Sequence, residues 1–175
     1  MKGKIFNAQE VQAIIAGTKT MFREVIKPRI KVENYKLDDG SGIGMEILLE
    51  ECPYQVGQKI FVKERFFVSN YIELRYEANL SIDEKYYWLP AIKMKQEHSR
   101  LTLEITNIKV ERLAEISKED AFKEGVERTD EWTGCAWDLN FTDAFKFNWN
   151  ATHKKPEEKF EANPFVWVVD FKINK

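Results

Sequence analysis

The sequence predicts a single α+β domain over residues 1–175, with strands making most of its core, and three features predict it. Apolar residues alternate with period two through 60–67 and again through 101–105. A bulky, β-branched run, NPFVWVVDFKIN, closes the chain and suits a largely buried strand. Two short stretches, NAQEVQAIIAG and SKEDAFKEG, each pair a helix-start signal with a glycine stop. At 175 residues the chain is of a size that one hydrophobic core serves. Hydrophobic residues make up 43% and charged residues 32%, with 5 Trp, 6 Tyr and 12 Phe, which excludes global disorder.

Taken in order, Asn7 is placed to N-cap a helix over 7–17, Glu10 stands at the capping-box position, and Val11, Ile14 and Ile15 form its apolar stripe. Gly17 supplies the left-handed stop. Pro28 forces the residue before it toward extended backbone, so 20–27 reads as a short edge strand or loop. The glycine- and aspartate-rich 34–45 reads as a turn or hairpin tip. After a turn around Pro53 and Gly57, a strand is expected from Lys59 to Val68, with Ile60, Val62, Glu64 and Phe66 on its more apolar face. Residues 71–78 read as a further strand and 85–90 as a strand end or loop that presents aromatics. The run 100–113 is a strand whose alternation changes phase near Asn107, as a bulge or bend would make it do. Ser117 caps the second helix and Gly125 stops it, and a third helix fits Thr142 to His153. Repeats and low-complexity tracts are absent from the sequence.

The net charge of −2 and pI near 5.9 argue against a protein that coats nucleic acid through bulk positive charge. Residues 1–36 nevertheless hold eight cations against three carboxylates, so a polyanion site, if present, is local. The sequence shows neither a signal-peptide pattern nor an apolar run of the ~20 residues that span a bilayer, so a cytoplasmic protein without membrane contact is expected. Cys52 and Cys135 lack CxxC partners, and no motif signals a metal or cofactor; both thiols are expected to be reduced.

Five landmarks stand in a telling order: GTKT at 17–20, CPYQVGQKIFVKE at 52–64, WLPAIKM at 88–94, SRLTLEITNIKVERLAEISKEDAFKEG at 99–125, and NPFVWVVDF at 163–171. Together they resemble the ASCH domain of the PUA-like superfamily, particularly its short prophage-type members, from about Ile5 to Ile173. The resemblance implies a PUA-like mixed β-barrel with flanking short helices, a cleft on one side, and a role in binding RNA or nucleosides. Some relatives hydrolyse the acyl amide of N4-acetylcytidine, and others have been proposed to cut RNA. In the amidohydrolase-type relatives a lysine in the G-x-K-T motif, a threonine three positions on and a glutamate in the helix after the long strand form the catalytic set. The lysine matches Lys19 and the glutamate Glu124, whereas the threonine position is Phe22, which has no hydroxyl. The prophage-type pattern also carries a second basic residue after the position of Arg23, where this chain has Glu24.

On chemistry alone, Lys19 is either a cation at the carbonyl end of a helix or a cleft lysine that acts as a base, holds an oxyanion or grips a phosphate. Glu124, near the end of its helix, is either a solvated carboxylate or a proton shuttle that meets Lys19 across a cleft. Glu64 on an apolar face needs a cation, with Lys19, Arg23 and Arg100 as candidates. Trp88, with Tyr86 and Tyr87, either stacks on a base or closes the barrel, and Lys93, Lys95 and Arg100 are candidate phosphate or sugar contacts. His98 is a candidate proton carrier or a surface residue. The expected site therefore comprises Lys19 and Glu124 as catalytic residues, with Thr20, Arg23, Glu64, Trp88, Lys93 and Arg100 as ligand contacts. Its expected role is a cationic cleft for RNA or a modified nucleoside. The alternative is an amidohydrolase or ribonuclease centred on Lys19 and Glu124. A phage accessory protein that binds another protein through the same surface is the third possibility.

Overall fold

The computed structural model describes residues 1–27, 45–68, 74–79, 88–126 and 141–174. The glycine-rich turn expected at 34–45 falls outside them up to residue 44, as do Tyr86, Tyr87, Trp132, Cys135 and Trp137.

Seven strands and four α-helices run in the order β1 (Lys2–Ile5), α1 (Ala8–Ala16), β2 (Met21–Val25), α2 (Met45–Glu50), β3 (Lys59–Lys63), β4 (Phe66–Val68), β5 (Leu74–Tyr76), β6 (Thr102–Arg112), α3 (Lys118–Lys123), α4 (Phe141–Thr152) and β7 (Phe165–Asn174) among the described residues. Five strands form one sheet in the order β1-β3-β6-β7-β2, and β4 and β5 form a second. The domain is thus mixed α+β with a core that is mostly sheet. Its two terminal strands approach each other through side chains: Lys4 Nζ meets Glu24 Oε2 at 2.8 Å, and the Lys4 ammonium lies 4.6 Å from the Phe22 ring centroid. The sheet therefore curls, with an ion pair and an aromatic contact joining β1 to β2.

The local chemistry read from the sequence accounts for most of these elements. Asn7 Oδ1 accepts the Glu10 N–H and Glu10 Oε2 accepts the Asn7 N–H, each at 2.9 Å, so the capping box of α1 is complete. Gly17 ends that helix at φ 78°, a left-handed conformation that costs an L-residue with a Cβ. Ser117 caps α3 through the Asp120 N–H. In β6 the register against β7 slips between Ile105 and Asn107, which leaves Thr106 as the bulged residue at the place where the alternation changes phase.

The expected single strand over 59–68 is corrected to two, broken at Glu64 and Arg65. Glu64 turns inward to an arginine, while the Arg65 carbonyl accepts the Glu77 N–H and Phe66 pairs with Tyr76, so the chain leaves the first sheet for the second. The even-numbered face is buried as expected: Ile60, Val62, Glu64 and Phe66 are all at most 2% exposed. Helix α2 carries no signal that the sequence reading used.

β7 is buried on both sides, and this explains its unbroken apolar run. Trp167, Val169 and Phe171 join Phe6, Val11, Ile14, Phe22, Ile60 and Leu103 in one core cluster. Val166 and Val168 face the opposite way and pack with Met21, Leu113, Ala121, Phe145 and Trp149 under α3 and α4. The candidate site lies on this second face.

Candidate functional site

Strand alternation decides which residues of β2 reach the site. Phe22 turns into the first cluster, where its ring meets Phe6, Tyr54 and Phe171 at centroid distances of 6.0, 5.3 and 6.0 Å. Arg23 turns the other way, beside Met21, toward α3. In the neighbouring strands Arg23 is level with Val168, and Val168 with Lys109, while Glu111 lies two residues further along β6 opposite Val166. Helix α3 covers this row, and Asp120 and Glu124, four positions apart, point down the same side of the helical turn toward it.

Lys19 and Glu124, separated by 105 residues in sequence, come together here. Lys19 Nζ donates to the Glu124 carbonyl at 2.7 Å and to Glu124 Oε2 at 3.0 Å, and the two residues form an isolated antiparallel bridge. Both are buried, at 3% and 9% exposure. Gly125 makes the approach possible: it adopts φ 77°, and a Cβ there would stand 2.8 Å from Lys19 Cβ and 2.9 Å from Ala13 Cβ. The main chain of Lys19 closes α1 by donating to the Ala13 carbonyl at 3.0 Å, and Thr20 links helix end to sheet, donating to the Lys123 carbonyl and accepting from the Phe171 N–H.

Arg23 holds Glu124 from its other oxygen. Its Nη1 donates to Glu124 Oε1 at 2.8 Å, and Nε and Nη2 donate to Glu111 Oε1 at 3.0 and 2.6 Å. Asp120 Oδ2 lies 3.4 Å from Nη2. Lys109 Nζ then joins Glu111 Oε2 and Asp120 Oδ2, each at 3.0 Å. Burial alone would lower the pKa of the Arg23 guanidinium, but Glu124 and Glu111 outweigh it and hold the pKa above the ordinary value. The sequence reading expected Arg23 in contact with a ligand in a cationic cleft. In the structure its side chain is fully enclosed and its donors meet carboxylates, so it positions Glu124, and the cations around the site are matched by acids.

Asp120 illustrates the pH consequence. Burial opposes its ionisation, yet the hydrogen bond and charge of Lys109, with the charge of Arg23, hold the carboxyl below its usual range. A carboxyl with a depressed folded pKa contributes stability that is present above the unfolded value and is lost as pH falls through the folded one, so the loss sets in below about pH 4. Asp120→Asn is expected to flatten the fall in urea midpoint between neutral and acid pH. Identical pH dependence in the variant and the parent would contradict this.

The other expected contacts gather elsewhere. Glu64, 2% exposed, finds its cation in Arg100: Nε donates to Oε1 at 2.8 Å and Nη2 to Oε2 at 2.9 Å. Arg100 also donates to Asn79 Oδ1 at 2.7 Å and lies over the Tyr76 ring. Trp88 is half-buried beside Leu89, which bridges to Phe66, and Lys93 is exposed on a turn tied to β3 by the Lys63-to-Ile92 hydrogen bond. His98 packs on Phe66, and its buried Nδ1 has no hydrogen-bond partner among the described residues. Helix α1 touches both groups, meeting Lys19 through Glu10 and the Ala78 carbonyl next to Asn79 through Gln12.

Sequence reasoning paired Lys19 with Glu124 but missed Glu111, Asp120 and Lys109 as members of the site. Their signal was spacing: Asp120 and Glu124 share a helix face, and Lys109 and Glu111 share a strand face. Among the described residues, no group of three or more His, Cys, Asp or Glu side chains is arranged to hold a metal, and no helix is long and apolar enough to cross a membrane.

No family model matches the sequence, and no curated protein does. Among solved structures, the chain is similar to protein EF3133 from Enterococcus faecalis V583, of family DUF984, at 12% identity and a TM-score of 0.48, over 99% of this chain and 76% of that one. It is also similar to an ASCH domain from Lactobacillus crispatus JV V101, at 14% identity and a TM-score of 0.45, over 98% of this chain and 78% of that one.

Proposed function

We propose that this chain is a small ASCH-type, PUA-like domain that binds a modified nucleoside, free or within RNA, at Lys19 and Glu124. The PUA-like barrel is part of the proposal, with the β1–β2 contacts as its seam. One observation carries the reading: a buried ammonium and a buried carboxylate stand 3.0 Å apart, in the two residues that match the ASCH motifs. Such a pair offers a donor and an acceptor side by side, the arrangement that reads the hydrogen-bonding edge of an unstacked base. Electrostatics favours a nucleoside over a phosphate backbone, because Glu124, Glu111 and Asp120 already neutralise Lys19, Arg23 and Lys109.

The contact between Lys19 and Glu124 also favours a second reading, hydrolysis of an N-acylated pyrimidine nucleoside. Position 22 supplies no nucleophile, so the pair would activate water: Glu124 takes its proton as the oxygen bonds to the acyl carbon, and Lys19 holds the carbonyl oxygen. Glu124 then returns the proton to the base's amino nitrogen as the C–N bond breaks, releasing the carboxylic acid and the deacylated nucleoside.

Calorimetric titration with N4-acetylcytidine, cytidine and single-stranded RNA, followed by mass spectrometry of each mixture, tests both readings. Binding of the acylated nucleoside is expected, weakened about tenfold or more in Lys19→Ala, the loss expected for one charged hydrogen bond. Equal binding by Lys19→Ala would sink the proposed site. Deacetylated product from the parent protein but not from Glu124→Gln would favour hydrolysis.

A further inference from the structure

The Lys19 ammonium carries three protons, and two of them go to Glu124, one to its carbonyl and one to Oε2. Glu10 stands on the remaining side, with Oε1 at 3.5 Å, beyond good hydrogen-bond length. Its side chain is 35% exposed, against 2% for Lys19 and 7% for Glu124, so Glu10 forms the solvent side of the trio. It is also fixed there. Its second oxygen accepts the Asn7 N–H at 2.9 Å, and its own N–H donates to Asn7 Oδ1. The capping box that starts α1 thus anchors a carboxylate at the open edge of the lysine.

We infer that Glu10 sets the charge selectivity of the site: it leaves the third Lys19 proton to a neutral oxygen acceptor and turns away phosphate and other oxyanions. The inference rests on the proposed reading only for the place where a ligand enters. An oxyanion that reached Lys19 would lie against a fixed like charge, while the Lys19 charge is already matched by Glu124 and that of Arg23 by Glu111. A neutral carbonyl meets no such repulsion and completes the ammonium's hydrogen bonding. At short range in a partly enclosed site, one unit charge changes an anion's affinity by roughly tenfold or more.

The cap makes the test clean. Glutamine serves a capping box as glutamate does, so Glu10→Gln keeps the oxygen that accepts the Asn7 N–H and removes only the charge. Nitrogen-15-labelled parent and Glu10→Gln proteins are titrated with inorganic phosphate and read at the backbone amides of Lys19, Glu124 and Gly125. The parent amides are expected to stay in place, and those of Glu10→Gln to shift saturably, with an apparent affinity at least about tenfold higher. That response should vanish in a Glu10→Gln, Lys19→Met double variant. Equal responses in parent and Glu10→Gln, no response in either, or persistence in the double variant would overturn the inference. N4-acetylcytidine added to the parent judges the nucleoside reading separately: silence there, with the phosphate difference intact, sinks that reading and leaves the role of Glu10 standing.

Discussion

Arg23→Ala is expected to lower the unfolding free energy by about 3–5 kcal/mol, the cost of removing one partner from a buried ion pair. The guanidinium is enclosed, and its donors hold Glu111 and Glu124, whose side chains are only 11% and 7% exposed. Without it, both carboxylates remain buried with half their partners gone, and the contact with the Phe145 ring, 5.7 Å from the guanidinium carbon, is lost as well. A surface pair gives the contrast. Lys172, 60% exposed and 3.0 Å from Glu104, should cost about 0–1 kcal/mol when replaced by alanine. Urea denaturation of the two variants beside the parent checks the difference, and equal, small losses would show that the network is not the buried unit described above. Pairwise replacement sharpens the test: exchanging Arg23 and Glu124 together for apolar residues should recover part of the loss, because no lone charge is left behind.

Phe22→Thr places threonine where amidohydrolase-type ASCH relatives have it. It is expected to destabilise the fold by about 3–5 kcal/mol and to confer no amide hydrolysis. Phe22 is 3% exposed in the main core, with three aromatic rings and the Lys4 ammonium around it. A threonine there opens a cavity and buries a hydroxyl. Residues 19 and 23 face Glu124 while residue 22 faces the core, so the new hydroxyl would stand on the side of β2 away from the Lys19–Glu124 pair. Denaturation and mass spectrometry of incubations with N4-acetylcytidine measure both effects. Product formed by the variant but not by the parent would contradict this account of the strand.

Local chemistry made much of the fold legible in advance. The capping box of α1, the stop at Gly17, the cap at Ser117 and the bulge at Thr106 each depend on residues within a few positions of one another, and each is where the sequence puts it. The break of the expected strand at Glu64 was not legible, because it goes with a change of partner set by residues further along the chain: the Glu77 N–H donates to the Arg65 carbonyl and Phe66 pairs with Tyr76 in the second sheet. The site was half legible for the same reason. Motif order linked Lys19 to Glu124, but nothing local says that Glu111 on β6 and Asp120 on α3 converge on Arg23. That depends on the register of β2 and β6 against β7 and on α3 lying over them. Counting the cations of the N-terminal segment suggested a positive cleft, whereas register brings carboxylates to Lys19 and Arg23.

The central claim is that the buried Lys19–Glu124 pair is where a neutral ligand binds, and amide spectra of the labelled protein during titration with N4-acetylcytidine test it most directly. The predicted result is a saturable shift concentrated at Lys19, Thr20, Glu124 and Gly125. Shifts confined to the exposed cations of the 91–95 turn and to Arg100, with the Lys19 and Glu124 amides unmoved, would contradict it.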